Sequence, residues 1–151
     1  MPILRSLLAG AALLAAAPVL AGECPAGKAG IDVREPVKLE AVGVTDTVLA
    51  QIPLSETSLK LEGRTMRVRR LTIEPGGIVP WHSHADRPAL IVTVKGEIME
   101  YASTCAAPIV HAEGDVAREL PATSHWWKNL SGAPVELLSF DILHDPADTN
   151  M

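Results

Sequence analysis

The sequence predicts an all-β domain, a sandwich or barrel, and three observations predict it. Short alternating or apolar runs recur at 45–54, 64–74, 89–94, 97–102, 108–111, 115–119, 124–129 and 135–143. Turn-forming residues separate them at Pro75-Gly76-Gly77, Lys95-Gly96, Glu113-Gly114-Asp115 and Ser131-Gly132-Ala133-Pro134. From Val37 onward no amphipathic helical period appears. The chain of 151 residues has room for one domain, and its hydrophobic content of 48% can support a core.

The elements follow in order. Residues 1–21 carry one early charge at Arg5, an apolar stretch from Leu7, and Val19-Leu20-Ala21, which fits the small-x-small rule of a signal peptidase site. A membrane anchor is the alternative. The Ala- and Gly-rich composition, Pro18 and the shortness of the run favour cleavage. Glu23 stands where a lipoprotein would need its modified cysteine. The expectation is an exported protein, periplasmic or secreted, with no membrane attachment after cleavage. Residues 22–36 carry Gly, Pro and charge without periodicity and read as a tether to a barrel domain spanning 37–151.

Export changes what Cys24 and Cys105 mean. In an oxidising compartment a lone pair is more often a disulfide than a metal or catalytic site. Such a bridge would close a loop of about 80 residues, worth roughly 4–5 kcal/mol in the chain-entropy model. Two free thiols remain the alternative.

With a formal net charge of −5 and no long Lys/Arg run, the chain is not expected to bind nucleic acid. Arg64, Arg67, Arg69 and Arg70 cluster on one strand, where they read as a solvated face or an anion patch. Ala89 to Val94 is apolar at nearly every residue, which implies burial on both faces and hints at a homodimer.

The chemistry centres on residues 76–98. On a strand, residues i and i+2 share a face, so His82 and His84 sit about 6–7 Å apart at the backbone and can reach one ion. His125, in a later strand, is the natural third ligand; His111 and His144 lack such context and read as structural or exposed. Parity puts Trp127 and Asn129 on the face of His125, and Ile91 and Thr93 inward behind Ala89, with Trp126 outward. Together they would line a small-molecule pocket, although plain core packing serves the tryptophans equally well. Arg87 reads as a carboxylate-orienting group at the mouth or a solvated loop charge. Asp86, just after His84, is a candidate fourth ligand.

The framing of these histidines resembles the cupin superfamily. Its first motif runs Gly, five residues, His-x-His, three or four residues, Glu, six residues, Gly; Gly76, His82, His84 and Gly96 fall on it. Its second motif is matched by Gly114, Pro121, His125 and Asn129. The resemblance covers roughly residues 37–143 and implies a single small jelly-roll β-barrel with a metal in its mouth. Two departures stand out: Ala89 occupies the family's metal-binding Glu position, and Thr123 stands near the second motif's Gly. The implied ligand set shrinks to three histidines, which suit Fe, Zn, Cu, Ni, Co or Mn better than Mg²⁺ or Ca²⁺. Three-histidine iron sites occur among cupin-like dioxygenases acting on thiols and diketones. Three functions stay open: a metal-dependent oxygenase or isomerase, a non-catalytic metal or small-ligand binding module, and a barrel that has lost its metal. No general base is evident.

Overall fold

Each alternating run becomes a strand. The computed structural model describes residues 22–144; the expected export segment, 1–21, and residues 145–151 lie outside them. Eight strands follow in order: β1 (Val42–Pro53), β2 (Thr65–Ser83), β3 (Ala89–Lys95), β4 (Glu97–Ala102), β5 (Ile109–Ala112), β6 (Val116–Glu119), β7 (Ser124–Lys128) and β8 (Val135–Leu143). They form one sheet in the order β5-β4-β7-β2-β8-β3-β6, with β1 added on β2, and every pairing is antiparallel. The sheet rolls into a nearly closed barrel whose two edges are β5 and β6.

One expected turn is no turn. Pro75-Gly76-Gly77 lies inside β2, which is 19 residues long, because the glycines let the strand bend without ending. Gly76 takes φ 77°, and a Cβ on Gly77 would fall 2.7 Å from both Glu74 O and Ile73 Cγ2. At this bend β2 stops pairing with β8 and starts pairing with β7, which carries His82 toward the site.

Inward positions of β2, β3, β4, β7 and β8 supply the core: Ile73, Val79, Ile91, Ile98, Trp127, Val135 and Leu137. Arg70 is exposed, as a solvated face expects, but Arg67 and Arg69 on the same strand form neither a solvated face nor an anion patch. Neighbouring strands bring carboxylates beside them: Arg67 binds both oxygens of Asp141 at 3.0 and 2.8 Å, and the buried Arg69 contacts Asp46 and Asp141. Arg64 reaches Asp86. Breaking one partner of such buried pairs leaves an uncompensated charge, which is costly.

The expectation for Ala89 to Val94 holds on one face only. Ala89, Ile91 and Thr93 are buried, but Leu90 is exposed, beside exposed Phe140, its pairing partner on β8. The segment at 22–36 has no strand, yet it is tied down. The Cys24–Cys105 disulfide anchors it, and Gly30 N–H to Thr104 O and Val33 N–H to Ser103 O hold it along the loop after β4.

Candidate metal centre

The register of β2 and β7 sets His82 directly opposite His125, and the ladder continues with His84 N–H donating to Thr123 O at 2.9 Å. All three imidazoles point into the barrel and are buried. Their Nε2 atoms form a triangle with edges of 3.1 Å (His82–His84), 3.0 Å (His84–His125) and 3.0 Å (His125–His82).

The other ring nitrogens decide what that triangle means. His82 Nδ1 lies 2.9 Å from Pro80 O, and His84 Nδ1 lies 2.7 Å from Arg87 O. Carbonyls only accept, so both Nδ1 atoms carry the proton. His125 Nδ1 donates to Glu100 Oε1 at 2.7 Å. His82 and His84 therefore turn Nε2 lone pairs inward, and the three Nε2 atoms converge on one point. A metal ion there, or a proton on His125 Nε2, relieves the crowding. The edges are equal to within 0.1 Å, which suits one central ion. An octahedral face with metal–nitrogen distances near 2.1 Å has an edge of about 3.0 Å. The residues therefore fit a divalent transition metal.

Behind His125 lies a carboxylate shell. Glu100 (β4) bridges two histidines: its Oε1 accepts from His125 and its Oε2 from His111 Nε2, each at 2.7 Å. Glu119 (β6) comes within 3.5 Å of His125 Nδ1. Glu119 is also the direct strand partner of Ala89, so the small residue in the first motif faces a carboxylate from the neighbouring strand.

The cupin domain profile matches residues 69–141 of the chain. Solved structures of the same architecture include a Klebsiella pneumoniae protein with a double-stranded β-helix domain (TM-score 0.54, 17% identity, 76% of this chain and 89% of that one). The Schizosaccharomyces pombe Cnp3 cupin domain superposes with TM-score 0.53 at 13% identity over 71% of this chain and 69% of that one. A recombinant oxalate oxidase in complex with glycolate gives TM-score 0.53 at 18% identity over 70% of this chain and 53% of its own. No curated protein sequence matches significantly. The barrel is a cupin domain.

In this cupin the remaining expected site residues divide. Ile91 and Trp127 line the space next to His82 and His84, and the Trp127 Nε1–H lies 3.2 Å from both His125 nitrogens. That space is only about 20 Å³, enough for one water. Asn129 is not part of its lining: its Nδ2 donates to Ile73 O and Ala133 O, and its Oδ1 accepts from Ser131, so the amide clamps the β7–β8 turn. Thr93 is buried away from the histidines, with its backbone bonded to Gly114 and Asp115. Arg87 is buried, not a solvated loop charge, and its carbonyl orients His84. Asp86 does not join the histidines. Its side chain is exposed and bound to Arg64 and His144, because the loop after β2 turns its carboxylate outward. Trp126 faces away from the core but stacks on Tyr101 at 4.0 Å.

Glu100 and Glu119 are the residues that sequence reasoning missed; both stand on the Nδ1 side of His125. His111, expected to be structural or exposed, is buried on Glu100. Glu100 was findable, since it shares parity with buried Ile98 and Ala102. Glu119 was not, because apolar Val116 and polar Glu119 suggest the opposite parity from the one adopted.

Burial, then the charge on His125, lowers the pKa of His82 and brings that of His84 to about 4, so both imidazoles are neutral at pH 7. Burial opposes ionisation of Glu100, but hydrogen bonds from His111 and His125 outweigh it and lower its pKa to about 2. For His125 burial opposes the charge, while Glu119 and Glu100 together raise its pKa. Glu119, with no hydrogen bond to offset burial, is pushed up to about 7.

Proposed function

We propose that this chain is an exported cupin protein that binds one divalent transition metal through Nε2 of His82, His84 and His125, and a small molecule beside it. One observation carries the reading: three buried imidazole Nε2 atoms converge at 3.0–3.1 Å while every Nδ1 is hydrogen-bonded to an acceptor. A triangle of that edge suits six-coordinate ions better than a tetrahedral set, whose edge at the same bond length is about 3.4 Å. The Cys24–Cys105 disulfide supports export, with localisation in the periplasm or outside the cell. Among the described residues no helix is long and apolar enough to cross a membrane.

The residues divide the work. Pro80 O, Arg87 O and Glu100 fix the three imidazole tautomers, the outer-shell role that keeps metal-binding histidines basic and oriented. Trp127, Leu71, Val79, Ile91 and Leu137 surround the histidines and keep bulk water out. A bound ion would supply Lewis-acid or redox chemistry there. The space of about 20 Å³ beside the histidines favours the non-catalytic binding reading, or a ligand no larger than a water or a diatomic. The exposed outer face around Leu90, Phe140, Met66 and Ile52 supports a homodimer.

Metal analysis of tag-free protein purified without chelators tests the reading. One equivalent is expected in the wild type and less than a tenth in His84→Ala. A metal-free wild type, with His84→Ala as stable as its parent, would overturn it. Bound iron with oxygen uptake points to an oxygenase, and tightly held zinc or copper without uptake to a binding module.

A further inference from the structure

The barrel's edge strands β5 and β6 do not pair with each other, and Gly22 to Cys24 cover the seam between them, over a cavity of about 370 Å³. Gly22 is the residue that stands first after cleavage behind Ala21, the site that Val19-Leu20-Ala21 marks. Its place on the barrel is fixed. Gly22 N–H donates to Val110 O at 2.8 Å, and the disulfide at Cys24 holds the residues that follow. A side chain does not suit this position. The φ is 83°, and a Cβ would lie 3.3 Å from Asp115 Cβ and 3.6 Å from His111 Nδ1.

One acceptor that faces Gly22 lacks a donor. His111 is 1% exposed, and its Nε2 donates to Glu100 Oε2. In the neutral ring Nδ1 is then a lone pair, and it has no hydrogen-bond partner. Burying such an acceptor without a donor costs free energy. In the full chain the Gly22 nitrogen is an amide with one proton, already given to Val110 O. Cleavage turns that amide into an ammonium with three protons. Three acceptors meet at Gly22: Val110 O, His111 Nδ1 and the Asp115 carboxylate, whose Oδ2 accepts from Ala112 N–H and leaves Oδ1 for the amine. The amine is one bond from the α-carbon that these distances locate.

We infer that the Gly22 α-ammonium created by signal cleavage docks on Val110 O, His111 Nδ1 and Asp115, so that export processing itself fastens the cover of the seam. Capture of an N-terminal amine by buried acceptors is a recurring mode of recognition. His111 then joins the new terminus to Glu100 and, through it, to His125 Nδ1. The inference rests on the cleaved export signal proposed above and not on a metal at His82, His84 and His125.

Export of the full-length chain, followed by intact-mass measurement, reads the mature N-terminus; Gly22 is expected first. A serine inserted between Ala21 and Gly22 keeps the cleavage site and moves the ammonium one residue outward. The Gly22 amide retains its bond to Val110 O, so this variant folds. Its urea midpoint is expected to fall by about 0.5–1 M. Its α-amine should be acylated at pH 7 at least tenfold faster than that of Gly22. Asp115→Asn, whose amide oxygen still accepts from Ala112 N–H, should lower the midpoint of the cleaved wild type and leave that of the insertion variant unchanged. If Asp115→Asn fails to fold, the serine insertion decides. Equal midpoints or equal acylation rates would overturn the inference, as would an Asp115→Asn effect of one size in both backgrounds. A mature chain that begins at another residue overturns the docking and leaves export standing; an uncleaved chain overturns both.

Discussion

His125 has two sides, and the barrel treats them in opposite ways. On the Nε2 side, two more imidazoles close in, apolar side chains fill the surroundings, and about 20 Å³ remains. On the Nδ1 side stand Glu100, Glu119 and His111, next to a seam cavity of about 370 Å³. The first side gathers three imidazole nitrogens with room for one small ion and little else. The second is organised around acceptors and has space. One imidazole joins them, so the carboxylate side sets the tautomer that makes the other side a ligand set.

The largest expected effect breaks the carboxylate side mechanically. Replacing Cys24 and Cys105 together by Ala removes the cross-link that holds the seam's cover, and the entropy of a loop of about 80 residues predicts a loss of about 4–5 kcal/mol. Denaturant unfolding checks this. A loss under 1 kcal/mol would mean that the hydrogen bonds of the 22–36 segment hold it without the bridge. Metal content of the folded double variant should not change.

Glu100→Gln tests whether the two sides are coupled. The amide cannot accept from both histidines as the carboxylate does, so His125 loses its fixed tautomer. Metal affinity should fall about 10- to 100-fold, read by competition with a chromogenic chelator. Unchanged affinity would separate the sides.

The pH dependence of the metal-free protein sharpens the contrast. The folded-state pKa of His84 lies near 4, below the unfolded value of about 6.5. Between those values the unfolded chain binds the proton that the folded one excludes. Position 84 therefore makes folding less favourable as pH falls from about 6.5 to 4, by an amount of order 2–3 kcal/mol. His84→Gln should gain stability relative to the wild type over that window, measured by urea unfolding at several pH values. A constant difference would refute the buried neutral imidazole.

The smallest effect belongs to Asp86→Asn. Its carboxylate lies outside both sides, on Arg64 and His144, so metal content should stay at the wild-type level. A fall in metal content would restore Asp86 as a ligand.

Much of the fold was legible because strand parity and turn residues are local. The runs at 97–102 and 135–143 are strands over those same residues, and the shared face of His82 and His84 follows from spacing, while His125 came from the family resemblance. Where the local rule allowed two outcomes, the sequence could not choose. Pro75-Gly76-Gly77 carries the chemistry of a turn, and pairing before and after it, with Gly76 and Gly77 bonded to the backbone of Asn129, kept β2 continuous. Arg67 and Arg69 looked solvated because Asp141 lies more than 70 residues away in sequence.

What the sequence by itself determined is the three-histidine set and the absence of a carboxylate at Ala89. Both depend on residue identity at known spacing within strands. What only the tertiary structure decided is where the carboxylates went. Glu100 and Glu119 reach His125 from β4 and β6, across pairings between residues distant along the chain. No local period encodes such contacts, since they exist only once the sheet has rolled and brought its edges around one imidazole.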